Sequence, residues 1–261
     1  MDPELSLDEI NRRASRKGIN LKEEVIRERA ARRGGCATVY RGKLSPSGTL
    51  VAIKTATGGV PGDEKIIKRV LHEAHVWSKL DHENVLPLLG ITTAFDHTVS
   101  MVSLWMEAGN AHDYVQNKDI DPRPLIVGVA RGLCYLHEHP KGPIVHSDLK
   151  GANVLISNRG HALIADFGYT YLASSSFSLG VIMTIESDIW SFAMTALELF
   201  TRKIPFEECK NWLGVTRRIL AGLPDYPSDE LTCHRMTGIG GAYFWNAGRK
   251  IHHRDLPSGK Y

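Results

Sequence analysis

The chain has 261 residues, of which 43% are hydrophobic and 23% charged, enough apolar content to bury a large core as one domain or two small lobes. Thirty-two basic and 29 acidic side chains leave a net charge of +3, a balance that argues against a nucleic-acid or membrane-surface partner. No apolar run approaches the ~20 residues needed to cross a bilayer. The start Met1-Asp2-Pro3-Glu4-Leu5 is acidic where a secretory signal needs a basic start and an apolar run. Cysteines 36, 134, 209 and 233 show no paired spacing, so they read as reduced, small, buried residues. The expected setting is soluble, intracellular and cytoplasmic, with no membrane insertion.

Residues 1–33 are charge-rich and helical in character, with Ser6 and Glu9 at capping-box spacing. Gly18 and Asn20 divide the segment into two expected helices, read as a solvated extension. Strand signals follow at 37–41 and 49–54, joined by the turn cluster Ser45-Pro46-Ser47-Gly48, which together read as a hairpin. Ile67, Val70, Leu71, Ala74 and Trp77 recur at helical spacing within 64–80. Residues 85–106 return to strand character, and 122–138 and 187–201 are the strongest helices of the second half. The stretch 231–261 has Gly238, Gly240, Gly241 and Gly248 and no period, so it reads as an irregular tail. A mainly β first part and a mainly α second part make the fold class α+β, as two lobes with a cleft between them.

Three groups of residues carry chemistry. Lys54 ends the apolar strand Val51-Ala52-Ile53-Lys54, and Glu73 lies on the following helix. An ion pair between them would aim the ammonium at nucleotide phosphates. The segment His146-Ser147-Asp148-Leu149-Lys150-Gly151-Ala152-Asn153 offers Asp148 as proton acceptor for an attacking hydroxyl and Lys150 as a partner for phosphate. Asn153 and the later Asp166, in Asp166-Phe167-Gly168, supply the hard oxygens that magnesium prefers.

This ordered set resembles the protein kinase superfamily. Lys150 in the catalytic loop resembles the serine/threonine-directed members. Leu80-Asp81-His82-Glu83-Asn84-Val85-Leu86-Pro87 is similar to the tyrosine-kinase-like group. The resemblance implies a bilobal fold with a small β-rich N-lobe over about 34–106, a mainly α C-lobe over about 107–230, and a C-lobe truncated relative to the family. It implies transfer of the γ-phosphate of ATP, with Mg2+, to serine or threonine hydroxyls of a protein. Gly34, Gly35 and Val39 would cover the nucleotide. Ala52 and Leu155 would line the adenine slot, Ser103 would be the gatekeeper, and Met106 would belong to the hinge. Asp188 would hold the catalytic loop from the helix that follows.

Four departures stand beside it. Arg32, Gly34 and Ala37 occupy the three positions of the glycine-rich loop. Ser147 replaces the arginine that commonly precedes the catalytic aspartate. The segment after Gly168 is short and lacks Ala-Pro-Glu. No helical period covers the base of the C-lobe, so Phe192, Leu197, Leu199 and Phe200 are expected to lose cover. These features open an alternative, a weak or inert pseudokinase that acts as a nucleotide-binding or interaction module. His253-Arg254-Asp255-Leu256 spells a catalytic-loop phrase, but Lys260 stands where asparagine should follow, so it reads as chance.

Overall fold

The structure, a computed structural model, describes residues 7–33, 37–56, 64–95, 98–168, 171–172 and 184–209, with short pieces of 211–218. Ser6, Gly34, Gly35, Cys36, Cys233 and the 231–261 tail lie outside the described residues. The chain divides into two compact units, Met1–Glu107 with Phe167–Thr170, and Ala108–Asp166 with Tyr171–Tyr261.

The first unit is built on a five-stranded antiparallel sheet. Its strands are β1 (Glu24–Arg33), β2 (Ala37–Ser45), β3 (Leu50–Ala56), β4 (Leu88–Thr92) and β5 (Ser100–Leu104), in the order β1-β2-β3-β5-β4. In β3, Val51, Ile53 and Thr55 are buried while Ala52, Lys54 and Ala56 are half-buried, the period of two that a strand imposes. Val51 and Ile53 pack with Val25, Leu44 and Val102 as one apolar cluster. The opposite face carries Ala52 and Lys54. Register places Val39 beside Lys54, and Ser103 beside Ala52. Directly paired antiparallel residues point to the same side, so Val39, Ala52, Lys54 and Ser103 share one face. The hairpin β2–β3 and the helix α2 (Glu64–Trp77) fall where periodicity predicts them.

Residues 1–33 depart from the two expected helices. Only the first forms, as α1 (Leu7–Lys17). Residues 24–33 are strand β1, paired to β2 from Glu24↔Ser45 to Arg33↔Thr38. The cause is position. An edge strand tolerates charge, because one side of its backbone meets water. Val25 enters the core at 7% exposure. Glu28 pairs with Lys43 across the ladder at 3.1 Å. The Arg27 guanidinium lies 4.5 Å from the Tyr40 ring centre and 4.7 Å from that of Phe95, so its charge is held by aromatic faces.

Nor is α1 a solvated appendage. Ile10 and Ala14 are fully buried, and α1 packs on α2. The chain after it forms a parallel bridge to β4, with Leu21 N–H donating to Ile91 O at 3.0 Å and Ile91 N–H to Ile19 O at 2.8 Å. Gly90 makes this approach feasible. Its φ is +151°, and a Cβ there would lie 2.8 Å from Leu21 N, closer than packed atoms allow.

The second unit contains α3 (Ala111–Tyr114), α4 (Arg123–His137), the strand pairs β6–β9 (Ile144–Val145 and Tyr171–Leu172) and β7–β8 (Val154–Ile156 and Ala162–Ile164), and α5 (Ile185–Thr201). α4 buries Leu125, Val129, Leu133 and Leu136 along one face and packs on β8. α5 begins with a capping box between Thr184 and Ser187. Phe192, Leu197, Leu199 and Phe200 are all buried, at 7% exposure or less. The expected loss of cover is therefore not found; α3 and α4 pack against α5. Cys134 also departs from expectation, being exposed, and Cys209 is half-buried. Local desolvation, then the Glu138 carboxylate, push the Cys134 thiol up from its ordinary value, which keeps it protonated and a poor nucleophile. No helix among the described residues is long and apolar enough to cross a membrane.

Candidate active site

The segment 146–153 is pinned by its own backbone. The Asp188 carboxylate, fully buried at the start of α5, accepts from the backbone N–H of His146 at 2.7 Å and of Ser147 at 2.8 Å. His137 Nε2, from the end of α4, donates to the same carboxylate at 2.9 Å. Three donors satisfy a charge that burial would otherwise make costly. They hold Ser147 in the left-handed region, at φ +71°, a conformation that persists only where surroundings impose it.

His146 is fully buried. Burial holds its imidazole below the ordinary value, outweighing the hydrogen bond to Ala165 and the nearby aspartates, which act in the opposite direction. One neutral tautomer satisfies both ring nitrogens: Nε2–H donates to Ala165 O at 3.0 Å, and Nδ1 accepts from Asp148 N–H at 3.3 Å.

Asp148 thus emerges from a fixed backbone. Its carboxylate accepts from Lys150 Nζ at 2.9 and 2.8 Å and from Asn153 Nδ2 at 2.8 Å. The Asp148 side chain stays 31% exposed and that of Lys150 50%, so both remain within reach of incoming molecules. Asn153 Nδ2 also donates to Asp148 O at 2.7 Å. With its nitrogen committed there, the side-chain oxygen is the atom left to meet a cation. Ala165 N–H donates to Asn153 O at 2.9 Å, which ties the backbone beside Asp166 to Asn153. Asp166 itself has φ +66°. An amide oxygen and a carboxylate on tied backbone are a donor set that fits a magnesium-like ion, which keeps several waters and substrate phosphates as its other ligands. No group of three or more His, Cys, Asp or Glu side chains with metal-holding geometry occurs among the described residues. Leu155 lies on β7, beside Asn110.

In the first unit, Lys54 Nζ lies 3.0 Å from Glu73 Oε1, with Glu73 7% and Lys54 22% exposed. α2 does more than supply Glu73. At successive turns it presents Arg69, Glu73 and Trp77. Arg69 Nη2 donates to Gly168 O at 3.2 Å, and the Trp77 ring lies 5.5 Å from that of Phe167. Trp77 Nε1–H also donates to Leu86 O. Met106 follows β5, where Trp105 N–H donates to Leu50 O at 3.0 Å. Periodicity reads Trp77 only as a core residue; the i, i+4, i+8 spacing around Glu73 is the signal for its second contact. Gly34 and Gly35 lie outside the described residues, so the glycine-rich loop is not placed.

The order and geometry of these groups define a phosphoryl-transfer domain of protein kinase type. The chain matches the protein kinase domain family over residues 29–184, more than half its length, and it belongs to that family. It is 30% identical over 200 residues to calmodulin-binding receptor-like cytoplasmic kinase 1 of Arabidopsis thaliana, a match covering 67% of this chain and 42% of that protein. It is 29% identical to serine/threonine-protein kinase PBL27 of the same plant, over 64% of this chain and 37% of the relative. A probable serine/threonine-protein kinase of Dictyostelium discoideum is 31% identical, over 79% of this chain and 36% of its own length. The chain spans less than half the length of these relatives. A protein kinase domain implies ATP as substrate and a divalent metal ion.

Proposed function

We propose that the chain transfers the γ-phosphate of ATP, with Mg2+, to serine or threonine hydroxyls of a protein in intracellular signalling, in the cytoplasm. Asp148 accepts the proton of the attacking hydroxyl. Lys150 and Lys54 hold phosphate oxygens, and Glu73 orients Lys54. Asn153 and Asp166 are the residues that would hold the metal, whose chemistry when bound is to neutralise phosphate charge. Ala52, Ser103, Met106 and Leu155 line the slot for the nucleotide base, and Gly34, Gly35 and Val39 cover the nucleotide. The serine/threonine direction rests on Lys150 and on the names of the relatives.

The observation that carries the proposal is the Asp148 carboxylate. It is held by Lys150 and Asn153 on a backbone fixed from α5, yet remains 31% exposed. A general base needs such fixed geometry together with access. The test is transfer of labelled γ-phosphate to serine-containing peptides, compared between the parent and Asp148→Asn. Removal of the base is expected to cost roughly 10²–10⁴-fold.

A further inference from the structure

We infer that Glu198 is a positioning residue for the catalytic loop, acting through the backbone N–H of Gly151 and held in place by His112. Glu198 stands between Leu197 and Leu199 in the buried part of α5 and is itself 5% exposed. A carboxylate in that setting occurs only when its oxygens are engaged. Both are: Oε2 accepts from Gly151 N–H at 2.9 Å, and Oε1 accepts from His112 Nδ1 on α3 at 2.8 Å. A Cβ on Gly151 would lie 2.6 Å from Oε1, so glycine is what lets the carboxylate reach this amide.

The placement matters because of what surrounds it. Asp188 grips the loop where it enters, at His146 and Ser147. Glu198 is ten residues further along the same helix, about 15 Å of rise. Its contact falls between Lys150 and Asn153, on the short 3-10 turn Gly151–Asn153. One rigid helix thus holds the loop at two separated points, with Asp148 and Lys150 between them. Release of the second point frees these two side chains from their geometry. A misplacement of about 1 Å costs on the order of 10²-fold in rate.

The experiment uses the full chain with Glu198→Leu, which fills similar space without an acceptor, and Glu198→Gln, which keeps an oxygen for Gly151 and a nitrogen for His112. Hydrogen exchange is followed by mass spectrometry, and peptide phosphorylation in parallel. For Glu198→Leu, exchange is expected to rise in 148–153 while 123–137 in α4 stays as protected as in the parent. The turnover number is expected to fall on the order of 10²-fold with little change in KM for ATP. Glu198→Gln is expected to restore loop protection and most of the turnover. If Glu198→Leu does not fold, Gly151→Ala serves, since its methyl group displaces the same carboxylate; local loosening of 148–153 is again expected. Unchanged exchange in 148–153, a rise spread equally over α4 and α5, or Glu198→Gln behaving like Glu198→Leu overturns the inference. The turnover arm rests on the proposed kinase activity; a parent without transfer refutes that activity, and the exchange arm then decides on Glu198.

Discussion

The carboxylate of Asp188 lies 2.7 Å from the backbone nitrogen of His146 and is fully buried. Asp188→Ala would leave the backbone N–H groups of His146 and Ser147 and the ring N–H of His137 without their acceptor. Each buried unsatisfied donor costs about 1–3 kcal/mol. The expected loss of stability is about 3 kcal/mol, read from urea unfolding. A loss below about 1 kcal/mol would mean that the loop is held by something else.

His146 makes stability depend on pH in a defined direction. Burial holds its folded-state imidazole below the ordinary value of 6.5. The unfolded chain takes up a proton as pH falls through about 6.5, while the folded chain resists it until lower pH. This contribution is complete above about 6.5 and is lost progressively below, toward the depressed folded value. Between pH 7.5 and 5.5 the parent should lose up to about 1.4 kcal/mol more than His146→Asn, since one pH unit of differential protonation is worth that much. Parallel pH profiles for the two proteins would remove His146 as the source.

Lys54 and Glu73 test nucleotide binding. Lys54→Ala removes a charged donor proposed to meet phosphate, worth about 1.5–3 kcal/mol. Mg-ATP binding by calorimetry should weaken by roughly 10- to 100-fold. Glu73→Gln should weaken it less, because the lysine survives with looser orientation. An unaltered dissociation constant for Lys54→Ala would contradict the assignment.

Gly90→Val probes the N-terminal segment. The new side chain would meet Leu21 N at 2.8 Å and Leu21 Cα at 2.9 Å, from a φ of +151°. Overpacking of this kind costs about 1–3 kcal/mol. The melting temperature should fall, and limited proteolysis should cut within residues 7–21 sooner than in the parent. Unchanged protection of that segment would show that the bridge at Ile91 does not hold it.

Much of this was legible in the sequence because local pattern and final environment agreed. The alternation through Val51-Ala52-Ile53-Lys54 is the burial pattern of β3, and the apolar period of 123–137 is the buried face of α4. The ordered motif residues carried the family. β1 was not legible because its glutamates and arginines resemble a helix, and only the partner strand shows that an edge position suits them. α1 looked solvated because, among its described residues, burial falls to Ile10 and Ala14 alone. Glu198 was missed although a signal existed: a charged residue inside an apolar helical run needs a buried partner. That the partner is an amide in a distant loop is tertiary information.

Phosphoryl transfer with Asp148 as base is decided by labelled γ-phosphate transfer from Mg-ATP to serine-containing peptides. Measurable transfer is expected for the parent, with a rate roughly 10²–10⁴-fold lower for Asp148→Asn and Mg-ATP binding retained by that variant. Folded parent protein that binds Mg-ATP without transferring phosphate, or an Asp148→Asn variant as fast as the parent, would contradict it.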